Sequence, residues 1–261
     1  MPTILDTIAE ATRERVALAK SNISLSEMRY RAEDIDPLTG FPFKAALKKE
    51  GLSFICECKK ASPSKGLIAP DFPHVHIAQE YEKAGGDCIS VLTEPKWFLG
   101  CNEYLKEITE AVSIPCIRKD FTVDEYMVWE AKTLGASAIL LICATLSKEQ
   151  LKEYLDIAHY LGLSAIVETH DEEEMGMAVD SGAEIIGVNN RNLKDFSVDI
   201  GNSSRLQSLA PKGTIFVAES GIKTREDVKA LEESGVDAVL IGETLMRAKD
   251  KKAMLDYLKG L

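Results

Sequence analysis

Long hydrophobic runs are absent from this 261-residue sequence. No apolar stretch approaches the roughly 18 residues that a membrane-spanning helix needs. The N-terminal residues, Met1-Pro2-Thr3-Ile4-Leu5-Asp6, also lack the basic segment followed by an apolar core that marks a secretory signal. We therefore expect a cytoplasmic protein with no membrane partner.

Cysteine is scarce, with six residues scattered over the chain. Cys56 and Cys58 flank Glu57, but this pair lacks the usual ligand spacing of a zinc site, and no second pair accompanies it. Three others lie in or beside apolar runs: Cys88, Cys116 and Cys143. We expect buried thiols in a reducing compartment and no metal site.

Positive charge is also in deficit, because 31 lysines and arginines face 42 aspartates and glutamates, for a net charge of −11. This balance argues against a general surface for nucleic acid or for anionic membranes. We expect no nucleic-acid partner. An anionic ligand would need a positive environment that is local.

Short apolar segments, in contrast, recur eight times, with amphipathic stretches between them. The segments are Phe54–Cys58, Cys88–Leu92, Pro115–Arg118, Ala138–Ile142, Ala165–Val167, Ile185–Val188, Ile215–Ala218 and Ala238–Ile241. Strands that alternate with helices pair in parallel through right-handed crossovers. Eight such units predict an α/β fold, a closed (β/α)₈ TIM barrel. An open doubly wound sheet is the alternative, but no Gly-x-Gly-x-x-Gly fingerprint for a dinucleotide follows the first strand.

Residues 1–50 precede the eight units. Apolar residues at Ile4, Ile8, Ala11, Val16 and Ala19 have helical spacing. We interpret residues 1–50 as an N-terminal helical extension that covers part of the barrel. The whole chain, residues 1–261, is expected to be a single barrel domain, because no linker or low-complexity tract divides it.

The first predicted strand contains a buried charged pair. Side chains alternate faces along a strand, so Ile55, Glu57 and Lys59 share one face. Desolvating two charges costs several kcal/mol per ion, which a purely structural strand rarely sustains. A polar pocket at the strand end and an edge strand with a solvated ion pair are both compatible with this segment alone.

The other strand ends favour the pocket, because charged and amide residues converge there. Face parity allows one group of side chains to point inward together: Glu57, Lys59, Lys119, Glu168, Asn189, Arg191 and Glu219. In TIM barrels the site lies at the C-terminal ends of the strands. A lysine beside carboxylates stays protonated and can serve as a general acid or an anion partner. His170 shares the face of Glu168, but we expect it to lie beyond the pocket.

The last two strands end in Ser220-Gly221 and Gly242-Glu243. Glycines there let backbone N–H groups approach a ligand, and helix N-termini favour an anion. Barrels often bind phosphate at this place. Two ordinary glycine turns are the alternative interpretation.

Five strings closely resemble the indole-3-glycerol phosphate synthase family, and the resemblance covers nearly the whole chain. They are Glu57-Cys58-Lys59-Lys60-Ala61-Ser62-Pro63-Ser64-Lys65-Gly66, Arg118-Lys119-Asp120-Phe121, Gly187-Val188-Asn189-Asn190-Arg191-Asn192-Leu193, Glu219-Ser220-Gly221-Ile222 and Ile241-Gly242-Glu243-Thr244-Leu245-Met246. The resemblance implies closure of the indole ring in tryptophan biosynthesis without a cofactor. The implied substrate is the anthranilate-bearing phosphosugar 1-(2-carboxyphenylamino)-1-deoxyribulose 5-phosphate. The implied products are indole-3-glycerol phosphate, carbon dioxide and water.

The resemblance also implies a role for each site residue. Lys119 would be the general acid in ring closure, and Glu168 would stabilise positive charge or shuttle a proton. Lys59 and Glu57 would act in carboxylate binding and dehydration, in an order that stays open. Residues that orient the substrate would be Asn189, Glu219 and Ser220. The phosphate would lie among Ser62, Arg191, Gly221, Gly242 and Glu243. The anthranilate ring would pack against Phe98, Phe121, Leu140, Leu193 and Leu240.

Two alternatives to this function remain at the level of sequence. Phosphoribosylanthranilate isomerase or another phosphosugar barrel would share the phosphate site but would not need the lysines and glutamates named above. A catalytically inactive barrel retained as a binding subunit would bind a phosphosugar without turnover. The expected partner is a small molecule, and a monomer is the default expectation.

Overall fold

Eight parallel strands close into a barrel in the computed structural model, which describes residues 3–192 and 196–261. The strands are β1 Ser53–Cys58, β2 Cys88–Leu92, β3 Cys116–Lys119, β4 Ala138–Ile142, β5 Ser164–Thr169, β6 Ile185–Asn189, β7 Ile215–Glu219 and β8 Ala238–Ile241. Each strand pairs with its sequence neighbours, and β1 pairs with β8, where Ser53 lies beside Ala238. The predicted TIM barrel is thereby confirmed, and the open sheet is excluded.

Twelve α-helices surround or extend the barrel in the described residues. They are α1 Ile4–Asn22, α2 Leu25–Glu33, α3 Pro42–Leu47, α4 His74–Lys83, α5 Asn102–Ala111, α6 Glu125–Thr133, α7 Lys148–Tyr160, α8 Glu172–Asp180, α9 Gly201–Gln207, α10 Arg225–Glu233, α11 Glu243–Arg247 and α12 Lys251–Lys259. A 3₁₀ turn spans Cys143–Thr145. Sequence-coded capping boxes start α1, α7 and α10, where Thr3, Ser147 and Thr224 serve as N-caps. In the part of the chain that the structure describes, no helix is both long and apolar enough to cross a membrane.

Buried apolar side chains form two clusters that follow the alternation of the strands. One fills the barrel interior and includes Ile55, Ile117 and Ile166. The other lies between the sheet and the surrounding helices and includes Cys56 and Cys58. Since odd and even positions of β1 separate in this way, Glu57 points to the same side as Ile55, above the inner cluster.

Helices of residues 1–50 pack at both ends of the barrel. Ile4, Leu5 and Ile8 of α1 line a cavity at the C-terminal ends of the strands. Phe43 and Leu47 of α3 join the inner cluster, and Ser53 at the start of β1 donates a hydrogen bond to the carbonyl of Ala46 at 3.2 Å. Helix α1 thus lies at the C-terminal ends of the strands, and α3 lies at the opposite end.

Candidate active site

A cavity of about 310 Å³ opens at the C-terminal ends of the strands, beneath α1. Nearly every residue singled out from the sequence lines it. These are Glu57, Lys59, Ser62, Phe98, Lys119, Phe121, Leu140, Glu168, Asn189, Arg191, Glu219, Ser220, Gly221, Leu240, Gly242 and Glu243. Leu193 lies outside the described residues. The barrel therefore brings side chains from all eight strands, or from the loops that follow them, into one space.

Lys119 at the end of β3 lies between two carboxylates. Its Nζ is 3.1 Å from Oε2 of Glu168 and 2.5 Å from Oε2 of Glu219. Burial lowers the pKa of Lys119, but the charges of Glu219, Glu168 and Glu57 outweigh it, and the net shift is upward. Lys119 is therefore an ammonium ion throughout the physiological range and carries a proton that it can donate.

The two carboxylates around Lys119 differ in their ionisation. Burial raises the pKa of Glu219 to about 7, because the lowering effect of Lys119 is partly offset by the charge of Glu168. Burial opposes ionisation of Glu168 as well, but Lys119, His170 and Asn189 together hold its pKa below the ordinary value. Glu168 is thus the permanent anion of the cluster, and Glu219 is the carboxylate that can exchange a proton near neutral pH.

Backbone and side chains of β6 fix this cluster. Asn189 Nδ2 donates to Oε1 of Glu168 at 3.1 Å, and Asn189 Oδ1 accepts from the backbone N–H of Arg191 at 3.1 Å. At Gly187 a Cβ atom would lie 2.4 Å from Oε1 of Glu219. The carboxylate of Glu219 therefore occupies space that only glycine leaves free on β6.

A second charged pair lies in the same cavity on β1. Lys59 Nζ is 2.5 Å from Oε1 of Glu57, and the two side chains are 17% and 5% exposed. Gly242, after β8, faces this pair so closely that a Cβ would lie 2.2 Å from Oε1 of Glu57. The two charges are tolerated at low exposure because β1 ends at a polar cavity and not in the apolar core.

The turn after β7 has an unusual backbone. Ser220 and Gly221 both adopt positive φ values, of 69° and 85°. A serine in this region is strained, and such residues concentrate at functional sites. The next helix, α10, begins only at Arg225, and Asp227 of its capping box accepts the N–H groups of Lys223 and Thr224. Any anion held here would therefore meet the loop of Ser220–Ile222 rather than the first turn of α10.

Sequence reasoning missed two lysines of the cavity wall, Lys65 and Lys223. Lys65 belongs to the loop after β1, where Ala61–Ser62 and Gly66–Leu67 form a small antiparallel hairpin. Its Nζ lies 3.8 Å from the carboxylate of Glu243. Lys65 stands in the first of the five family strings, but no role was assigned to it or to Lys223, because lysines are common in surface loops.

An aromatic wall forms on the side of β2 and β3. The rings of Phe98 and Phe121 lie 6.2 Å apart. The loop that carries Phe98 is held by the buried carboxylate of Glu94, which accepts the backbone N–H groups of Lys96, Trp97 and Phe98 at 2.9, 2.7 and 3.0 Å. Glu94 was not predicted from the sequence, because its partners are backbone groups of its own loop.

Helix α1 is tied to the site by an ion pair that sequence reasoning also missed. Arg15 donates to both carboxylate oxygens of Asp120, at 3.0 and 2.7 Å. Asp120 also accepts from the hydroxyl of Thr93 at 2.6 Å and immediately follows Lys119. The segment that covers the cavity is therefore anchored beside the central lysine.

The fold and the site together define a (β/α)₈-barrel protein whose cavity, at the C-terminal ends of the strands, holds two lysine–carboxylate clusters. The family model described as "Indole-3-glycerol phosphate synthase" matches residues 5–258. The chain belongs to the indole-3-glycerol phosphate synthase family, carboxy-lyases of tryptophan biosynthesis. The family resemblance stated from the sequence motifs is confirmed.

Close relatives support this assignment over nearly their whole length. An indole-3-glycerol phosphate synthase of Ruminiclostridium cellulolyticum is 53% identical over 257 residues, which cover 98% of this chain and 99% of the relative. One of Endomicrobium trichonymphae is 52% identical over 256 residues, with the same coverage of 98% and 99%.

Solved structures with low sequence identity share the fold. The 3-hexulose-6-phosphate synthase of Salmonella typhimurium superposes with a TM-score of 0.67 at 14% identity, over 80% of this chain and 97% of that one. A chain of the tryptophan synthase complex of Pyrococcus furiosus gives 0.60 at 14% identity, over 82% and 99%. At this identity the likeness concerns the barrel alone.

Proposed function

We propose that this protein converts 1-(2-carboxyphenylamino)-1-deoxyribulose 5-phosphate into indole-3-glycerol phosphate, carbon dioxide and water. The observation that carries the proposal is the Lys119 ammonium held between Glu168 and Glu219, in the same cavity as the Lys59–Glu57 pair. Ring closure needs a proton donor at a ketone oxygen, and the later loss of a hydroxyl needs a second one. Two lysines with carboxylate partners meet both needs.

Lys119 is the proposed general acid for ring closure. Its proton would go to the ketone oxygen while the ring carbon attacks the carbonyl carbon. Glu168, as the permanent anion, would stabilise the positive charge that develops on the ring and its nitrogen, as an iminium, until carbon dioxide leaves. Glu219, with its pKa of about 7, would orient the substrate and could return a proton to Lys119 between steps.

Lys59 and Glu57 are assigned to the substrate carboxylate and to dehydration. Lys59 would pair with the carboxylate before it leaves as carbon dioxide. An acid must then protonate the departing hydroxyl, and a base must take a proton from the neighbouring methylene carbon, so that the double bond of the new ring forms. Lys59 and Lys119 are both candidates for the acid, and Glu57 is the candidate base.

The residues that line the cavity suggest where the phosphate and the anthranilate ring of the substrate would bind. The phosphate would lie among Ser62, Arg191 and the backbone of Gly221, Gly242 and Glu243, with Lys65 and Lys223 at the rim supplying local positive charge in a chain of net charge −11. The anthranilate ring would pack against Phe98, Phe121, Leu140 and Leu240, with Asn189 and Ser220 orienting the sugar.

The proposal needs no cofactor. We further propose that residues 1–261 form a single domain, with residues 1–50 as its N-terminal extension. The enzyme is proposed to be monomeric and cytoplasmic. Gel filtration with light scattering tests the monomer.

The experiment is incubation of the purified protein with the carboxyphenylamino-deoxyribulose phosphate. Indole fluorescence follows the product, and mass spectrometry identifies it. Turnover to indole-3-glycerol phosphate supports the proposal. Substrate binding without any indole signal would contradict it and favour an inactive binding subunit.

A further inference from the structure

His170 lies one residue past the end of β5, behind the cluster of Lys119, Glu168 and Glu219. Its side chain is 18% exposed and does not line the cavity. Its backbone N–H donates to Oε2 of Glu174 on α8 at 2.8 Å, and its carbonyl accepts from Nδ2 of Asn202 on α9 at 3.1 Å. The backbone on both sides of the ring is therefore fixed.

The imidazole lies between two carboxylates. Nδ1 is 2.9 Å from Oε2 of Glu174, and Nε2 is 3.4 Å from Oε1 of Glu168. Nε2 is buried and makes no aligned hydrogen bond in this arrangement. A neutral ring that donates Nδ1–H to Glu174 would turn a lone pair toward the Glu168 carboxylate, whereas the imidazolium presents an N–H to each neighbour.

The charges around the ring come from several elements and are mostly negative. Glu168 faces it from β5, Glu174 from α8, and Glu219 acts on it from β7. Lys119 of β3 is bound to the other oxygen of Glu168. Burial alone lowers the pKa of His170, but the bond to Glu174 and the charges of Glu168 and Glu219 raise it above the ordinary value of 6.5.

We infer that His170 is a positioning residue whose imidazolium keeps Glu168 ionised and in place behind the reacting centre. The inference rests on the proposed function, because that function gives Glu168 its role. Glu168 has Lys119 on one oxygen, with Asn189 and His170 on the other, whereas Glu219 has no second cation among the contacts of the described residues. His170 therefore helps to decide which of the two carboxylates stays charged when Lys119 loses its proton.

An NMR titration of the histidines tests the electrostatic coupling between His170 and Glu168 without any assay of activity. The chain has four histidines, so the ¹⁵N-labelled ring signals are few, and the His170→Gln variant identifies that of His170. We expect the pKa of His170 to lie above 6.5 in the unaltered protein and to fall in Glu168→Gln. His76, whose side chain is 68% exposed, serves as the internal control and should not shift. A His170 signal that titrates identically in both proteins would overturn the inference.

The pH dependence of kcat tests the consequence for the reaction. Without the imidazolium the carboxylate pKa rises, so the acid limb of kcat in His170→Gln should move by about one pH unit to higher pH, a roughly tenfold loss on that limb, with KM little changed. His76→Gln should leave the profile unchanged.

A second variant covers the case in which His170→Gln fails to fold. Glu174→Gln keeps the ring but replaces the carboxylate that faces Nδ1 with a neutral amide, so the pKa of His170 should fall in the ring titration, and with it the share of imidazolium beside Glu168 near neutral pH. An unchanged His170 titration in Glu174→Gln, or an unchanged kcat profile in folded His170→Gln, would contradict the inference. Absence of turnover in the unaltered protein would refute the proposed function instead, and the histidine titration would still decide the coupling.

Discussion

Arg15 of α1 holds both carboxylate oxygens of Asp120, the residue next to Lys119, at 2.7 and 3.0 Å. The helix that covers the cavity is thus bonded to the strand end that carries Lys119, the proposed proton donor. Asp120 is fully buried, and the charges of Arg15 and Arg118 hold its pKa below the ordinary value despite that burial. Loosening α1 should therefore disturb both stability and the site.

Removal of this ion pair in Arg15→Ala should lower the free energy of unfolding by about 1–3 kcal/mol, because Asp120 loses its main partner while staying buried. KM should also rise, since Ile4, Leu5 and Ile8 of the same helix line the cavity. Urea unfolding and steady-state kinetics measure the two effects. Arg13→Ala is the control on the same helix, because Arg13 is 51% exposed and pairs with exposed Glu10. Equal effects of the two substitutions would contradict the anchoring role.

Gly242 should be intolerant of a methyl group. In Gly242→Ala the new Cβ would lie 2.2 Å from Oε1 of Glu57 and 2.8 Å from Nζ of Lys59, so the pair must move. A displacement of about 1 Å in a catalytic group can cost 10²-fold, and we expect kcat to fall at least about tenfold. Gly176→Ala on α8 is the matched control, because its Cβ would meet nothing within 4 Å. Native kcat in Gly242→Ala would contradict the assignment of Glu57 and Lys59.

The pH dependence of stability should report on Glu219. Because burial raises its folded-state pKa from 4.5 to about 7, the native state binds more protons than the unfolded state in that window. The contribution of Glu219 is fully present below pH 4.5 and is lost as the pH rises through 7. In Glu219→Gln the decline in stability measured by urea unfolding between pH 5 and 8 should become smaller, and the part that His170 contributes should remain. Persistence of the full decline in the variant would show that other groups cause it.

The carboxylate of Glu94 should matter for binding more than for chemistry. Its three backbone hydrogen bonds hold the loop of Phe98, so Glu94→Gln, which keeps only one acceptor oxygen, should let the aromatic wall move. We expect KM to increase several-fold and kcat to change less, because the lysines are untouched. Glu103→Gln at the exposed start of α5 is the control. A fall in kcat at constant KM would contradict this role.

The barrel and the charged residues at its strand ends could be predicted from the sequence, because both depend on local periodicity. Ile55, Glu57 and Lys59 share a face by strand alternation alone, and the same parity places Lys119 and Glu168 in the cavity. The closed barrel follows from eight repeats of one unit.

Contacts between segments that are distant in the sequence cannot be predicted from local periodicity. Arg15 meets Asp120 across 105 positions of sequence, and no local pattern marks either residue as a partner of the other. The interior face of His170 was recognised, but its place between Glu168 and Glu174 depends on how α8 packs on β5. Such pairings are decided by tertiary packing and have no periodic signal.

The most direct test of the account is the turnover of Lys119→Ala with the carboxyphenylamino-deoxyribulose phosphate. A proton-transfer catalyst contributes about 10² to 10⁴-fold, so kcat should fall at least 10²-fold in a protein that still unfolds cooperatively. Lys152→Ala, which removes an exposed lysine of α7, should keep native kcat. Near-native kcat in folded Lys119→Ala would contradict the assignment of Lys119 as the general acid.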